Sequence, residues 1–177
     1  MTKDEFWRIV RASMEDCEED EYQDECLERL LRSLSASEVF EFQRHFHRYR
    51  ETANRGELWA AGMLLNGGRA SDDGFEYFRN WLIACGEAVY SRVLREPESL
   101  AELEVDTDEE GRPDAEFEEL GYVAFNAYEA LTGGKSLYDE FPAAGAADEP
   151  RWDWREFNSE SWLKSHLPQS LGEIRPI

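Results

Sequence analysis

Four charged residues at helical spacing are the strongest candidates for chemistry in this sequence: Asp72, Asp73, Glu76 and Arg79. Separations of three and four residues bring side chains to one face of a helix. The functional reading of these groups is a small polar site that holds a cation through its carboxylates or an anion through Arg79. They follow Gly67-Gly68-Arg69-Ala70-Ser71, where the glycines permit a tight turn and Ser71 is a good helix N-cap. The competing reading is structural: a glycine turn, a capped helix and an internal Asp-Arg pair. The structural reading is preferred, because capped helix starts far outnumber binding sites. Phosphate is a poor ligand here. Glycines leading into a helix can cradle phosphate, but no Gly-Lys-Ser/Thr follows, no strand precedes, and two aspartates repel an anion.

Other residue types offer less. His45 and His47 are two positions apart, so on a helix they point in different directions; His166 is isolated. Zinc-binding histidines on a helix sit at i and i+4, so no metal ligand is assigned. No Gly-x-Ser-x-Gly nucleophile motif occurs, and no catalytic residue is assigned. Cys17, Cys26 and Cys85 are an odd number with no close pair, and Cys17 and Cys26 lie outside the usual metal spacing of about two to four residues. They read as small apolar residues on helix faces, and no cofactor is expected. Trp7, Trp59 and Trp81 sit at helical spacing and read as core; Trp152 and Trp154 alternate in a polar segment, which leaves one of them available to a partner.

The elements that must position these groups are helical. Thr2 and Glu5 form a Ser/Thr-x-x-Glu capping box ahead of Phe6, Trp7, Val10 and Met14. A second helix is expected over about Asp20–Leu34, with Cys26, Leu27, Leu30, Leu31 and Leu34 on one side. Ser35 and Glu38 repeat the capping box before Val39, Phe42, Phe46 and Tyr49. A fourth helix covers about Gly56–Leu65 and stops at Asn66-Gly67-Gly68, residue types that adopt the left-handed conformation. Ser71 caps the next helix, with Phe75, Phe78, Leu82 and Cys85 as its apolar stripe. Helices then follow over about Glu87–Leu94 and from Pro97 to Leu103. Residues 104–116 read as an exposed, mobile acidic loop, and a helix is expected over about Asp114–Leu131, ended by Thr132-Gly133-Gly134. The tail from Lys135 reads as loop, anchored by Trp152, Trp154 and Phe157, with Ser159 capping a last short helix that carries Trp162 and Leu163 and is closed by Pro168. The expected fold is all-α: a single-domain irregular helical bundle over residues 1–134, with a loop-rich aromatic tail over 135–177 packed on it.

Bulk properties limit the partners. The 177 residues carry a formal charge of −21. Such a surface repels nucleic-acid phosphates and anionic lipids, so direct nucleic-acid or membrane binding is not expected, whereas a basic protein partner is attracted. The aromatic share of 13% argues against disorder. The N-terminus lacks the basic and apolar regions of a signal peptide, and no run of about 18 apolar residues occurs, so a cytoplasmic location is expected.

Phe6-Trp7, Leu58-Trp59-Ala60-Ala61, Asn66-Gly67-Gly68, Ser71-Asp72-Asp73-Gly74-Phe75, Phe78-Arg79, Trp81-Leu82-Ile83 and Gly86 resemble the bacterial domain-of-unknown-function family 4240, over about residues 1–130. The resemblance implies a bacterial, cytoplasmic helical domain and carries over no activity. It marks Trp59, Asn66, Gly67, Gly68, Asp72, Asp73, Phe78, Arg79 and Trp81 as positions matching the family pattern. The leading functional expectation is a non-enzymatic protein-interaction or regulatory module with an acidic surface. The alternatives are a small-ligand or metal site, with hydrolase activity conceivable, involving Trp59, Asn66, Asp72, Asp73, Glu76, Arg79 and Trp81, and an acidic mimic of DNA. Oligomeric state is open.

Overall fold

The computed structural model describes residues 1–19, 21–69, 71–140 and 157. Among them every extended regular element is a helix, and the sole β feature is a bridge between Thr107 and Pro113. Of the expected tail anchors, Trp152 and Trp154 lie outside the described residues, as does the helix capped by Ser159 that carries Trp162. Among the described residues no helix is long and apolar enough to cross a membrane. The described residues divide into two compact units, 1–51 with 118–140 and 52–117 with 157.

The first unit begins with α1 (Lys3–Glu15). Its start is the expected capping box: Glu5 N–H donates to Thr2 Oγ1 at 3.2 Å, and Thr2 N–H donates to Glu5 Oε2 at 2.6 Å. Phe6, Trp7 and Val10 are buried as expected, but Met14 is exposed and Ser13 takes the inward place. Ser13 tolerates burial because its hydroxyl donates to the Val10 carbonyl at 2.7 Å. α2 (Gln23–Arg32) is shorter than expected and buries Cys26, Leu27 and Leu31 against α1. α3 (Ala36–Thr52) starts at the Ser35–Glu38 box. Its Phe42 and Tyr49 meet Phe6 at centroid distances of 4.7 and 5.0 Å, and Tyr49 also meets Trp7 at 4.6 Å. Offset aromatic contacts of this kind are worth about 0.5–1.5 kcal/mol each beyond buried area.

The same unit closes with α7 (Val123–Thr132), which packs on α2. That helix begins well after the expected Asp114: residues 119–121 form a 3-10 turn, and 114–118 are not helical. Gly133 ends it in the left-handed conformation at φ 70°. A short α8 (Leu137–Glu140) follows, and Tyr138 stacks on Phe125 at 4.1 Å.

The second unit is built on α4 (Gly56–Leu65), which has the expected bounds and is buried on most sides through Leu58, Trp59, Ala60, Ala61 and Leu65. A helix that is apolar all round belongs in an interior. The Phe157 ring lies against Gly56, where a Cβ would overlap it. α5 (Asp72–Ala84) and α6 (Gly86–Arg95) are joined through Cys85, and Gly86, which opens α6, has φ 86°. A 3-10 helix at Pro97–Glu102 packs on α4 and α6. Residues 104–116 are more ordered than a mobile loop: Asp108 accepts from the Arg112 backbone at 2.9 Å, while Val105 and Ala115 are buried.

Candidate functional site

α4 ends in a glycine turn. Gly67 and Gly68 have φ of 68° and 85°, and Gly68 N–H donates to the Met63 carbonyl at 2.8 Å. Asn66 itself has φ −85°, so the left-handed positions belong to the glycines alone. The Asn66 side chain is buried, and it captures another segment instead. Its Oδ1 accepts the Ala115 N–H at 2.8 Å, and its Nδ2 donates to Glu116 Oε1 at 3.3 Å. Next in the same segment, the Phe117 N–H donates to the Tyr77 carbonyl at 3.1 Å and Asn80 Nδ2 donates to the Phe117 carbonyl at 3.2 Å. These bonds explain the late start of α7. The Ala115 N–H and both backbone groups of Phe117 are used by Asn66 and by α5, so they do not enter a helical ladder.

Arg69 ties the same strap from the other side. Its Nε donates to the Asn66 carbonyl at 3.1 Å, one terminal nitrogen donates to the Pro113 carbonyl at 3.1 Å, and the other approaches Asp108 at 3.6 Å.

Between strap and helices lies a small cleft, partly open to solvent. Trp59, Phe75 and Phe78 supply its apolar lining; Asn66, Arg69 and Glu116 supply the polar groups. Trp59 meets Phe75 edge-on at 5.2 Å. Two lining positions leave little room for any side chain. A Cβ at Gly62 would stand 3.0 Å from the Phe78 ring, and one at Gly74 would stand 3.0 Å from Ser71 Oγ and 3.1 Å from Glu116 Oε1. Gly74 thus leaves room for the carboxylate and also donates to the capping Ser71 hydroxyl at 2.9 Å.

Glu116 is the cleft's carboxylate. Burial pushes its carboxyl above the usual range, and Asp114 adds to the rise against the pull of Arg69. Among the described residues no donor reaches its Oε2. The arrangement offers one partly desolvated carboxylate, with the Arg69 guanidinium in the same lining, beside aromatic side chains. Ser71 is the hydroxyl in the lining, and its oxygen is engaged as the helix cap.

The residues expected to form the site separate into three groups. Trp59 and Asn66 line the cleft. Asp72 and Asp73 are exposed at the first turn of α5, and Glu76 is half-buried; none of the three lines the cleft. Arg79 and Trp81 do not line it either, and each contacts a ring that does. Arg79 is 4% exposed, its guanidinium stands 4.8 Å from the Phe75 ring centroid, and its Nε donates to the Phe75 carbonyl at 3.3 Å. Trp81 stacks on Phe78 at 5.8 Å. The expected Asp-Arg pair is therefore corrected: among the described residues neither Asp72 nor Asp73 pairs with Arg79. At 1.5 Å of rise per residue, the separation along α5 is about 10 Å, and Arg79 turns inward while the aspartates face solvent.

Glu116 and Arg69 were not singled out by residue pattern. Glu116 sits among Asp114, Glu118 and Glu119, in a stretch where each acid looks solvated. Only its distant partner Asn66 distinguishes it.

A family model described as "Protein of unknown function (DUF4240)" matches residues 1–130, and the chain belongs to that family. Neither a curated protein nor a solved structure matches it.

Proposed function

We propose that this DUF4240 protein is a binding module whose cleft at Asn66 and Glu116 takes a compact cationic ligand, an ammonium or guanidinium group. The carrying observation is the Glu116 carboxylate: one oxygen is fixed by Asn66, and Oε2 is without a described donor in a cleft that Trp59 and Phe75 also line. A partly desolvated carboxylate attracts a cation more strongly than a solvated one. Binding is favoured over catalysis because the described lining offers no nucleophile paired with a base. The three free cysteines suit a reducing compartment such as the cytoplasm.

The test is titration with ammonium, methylamine and guanidinium, followed through the Asn66 side-chain amide and the Trp59 indole by NMR. Saturable shifts that weaken about 10- to 150-fold in Glu116→Gln support the reading, as expected for loss of a charged hydrogen bond worth about 1.5–3 kcal/mol. Shifts of equal size in the variant overturn it.

A second reading rests on the charge of −21. An acidic surface of that strength suits a regulatory contact with a basic protein, formed quickly and weakened by salt. Recovery of no partner by crosslinking at low and moderate salt counts against it.

A further inference from the structure

We propose that Cys17, Glu21 and Cys26 form a site for a thiophilic divalent cation of the zinc class. The nine-residue spacing of the cysteines argued against a metal, but the connection after α1 folds back. Cys17 lies just beyond the end of α1, Cys26 is in the first turns of α2, and Glu21 is in the connection between them. The two Sγ atoms and a Glu21 carboxylate oxygen all lie within 4.8 Å of one another. Cys26 is buried, and Cys17 and Glu21 are partly so. The convergence is therefore a tertiary feature and not a surface cluster of acids.

Two sulfurs among three donors select against magnesium and calcium, which take oxygen, and for zinc. Three protein ligands leave the fourth tetrahedral position to water. Bonds of about 2.3 Å to sulfur and about 2.0 Å to nitrogen or oxygen draw tetrahedral ligand atoms to within about 4 Å of each other, so the groups need to close inward only slightly. The Cys17 thiol donates to the Ser13 carbonyl at 2.8 Å, a bond that ends when the thiol gives up its proton on binding.

Arg29 supplies the outer shell. It forks onto Glu21 at 2.9 and 2.8 Å, and its terminal nitrogen stands 3.3 Å from Cys26 Sγ and 3.2 Å from the Asp16 carbonyl. Charge balances with it in place: two thiolates and one carboxylate carry three negative charges, the ion carries two positive, and Arg29 cancels the remainder. Binding breaks the two S–H bonds, forms two metal–sulfur bonds and releases two protons to solvent, with no change of oxidation state.

The test is titration of the reduced, metal-free full chain with Co²⁺, followed by Zn²⁺. The expected result is a thiolate-to-cobalt charge-transfer band that saturates at one equivalent and is displaced by Zn²⁺. The band should vanish in Cys17→Ser and persist in Cys85→Ser. Glu21→Gln should keep a thiolate band with affinity reduced about 10-fold or more. Cys17 is half-buried, so Cys17→Ser keeps the test valid even where Cys26→Ser unfolds, and far-ultraviolet circular dichroism checks that each variant is folded. Absence of a thiolate band at one equivalent, or its survival in folded Cys17→Ser, overturns the site.

Discussion

Asn66 holds Ala115: its Oδ1 accepts the Ala115 N–H at 2.8 Å across 49 positions of sequence, and both residues are buried. The same side chain orients Glu116. Truncation to Asn66→Ala leaves a buried backbone donor without its partner, which costs about 1–3 kcal/mol. Chemical denaturation should show a lower midpoint at unchanged m-value. Asn66→Asp keeps the acceptor but sets a second carboxylate beside Glu116, so its loss should grow as pH rises above the carboxylate range.

Gly74→Ala separates stability from binding. Alanine favours a helix over glycine by about 1 kcal/mol, but here its Cβ meets Ser71 Oγ at 3.0 Å and Glu116 Oε1 at 3.1 Å. The Glu116 carboxylate is the end of a side chain and moves. Thermal denaturation should therefore change by no more than about 1 kcal/mol, while amine-induced shifts at Asn66 and Trp59 should be lost. Undiminished binding would falsify the placement of the ligand beside Glu116.

Glu116 should also give the cleft a pH dependence. Burial raises its folded pKa above the ordinary 4.5. A carboxyl raised on folding contributes stability that is fully present below its unfolded pKa and is lost as pH rises through the folded pKa. Glu116→Gln removes that term and keeps an amide oxygen for Asn66. The variant should equal or exceed the parent in stability at pH 7, and the difference should shrink toward pH 4.5. Cation binding runs the opposite way: it needs the ionised carboxylate, so parental affinity should fall as pH drops toward 4.5. Urea denaturation and NMR titration over the same pH series measure both slopes.

Arg79 and the aspartates ahead of it should behave differently. Arg79 is buried under Phe75, so Arg79→Ala removes packing, a ring contact and a backbone bond, and should cost about 1–3 kcal/mol. Asp72→Asn and Asp73→Asn remove only favourable charge at the exposed start of α5, worth about 0.3–1 kcal/mol each at low salt and less in high salt. A double-mutant cycle of Asp73→Asn with Arg79→Ala should show no coupling. Measured coupling would restore the Asp-Arg staple.

The sequence by itself determined the local architecture. The Thr2–Glu5 and Ser35–Glu38 boxes, the Ser71 cap, the bounds of α4 and the glycine turn were legible because each depends on partners three to five residues away. Burial of Phe6, Trp7, Val10, Phe75, Phe78 and Leu82 followed from helical period for the same reason. The tertiary structure decided what that architecture holds. Residues 114–118 looked helical, yet Asn66, Tyr77 and Asn80 use the backbone of 115–117, and a hydrogen bond made to a distant residue leaves no trace in local pattern. Cys17 and Cys26 looked unrelated until the chain between α1 and α2 folded back. Arg79 shared a spacing with Asp72 and Asp73, but which side of α5 faces the interior was set by the packing of Phe75 and Phe78 against α4. Spacing places residues along a helix; only the helix's neighbours determine which of them meet.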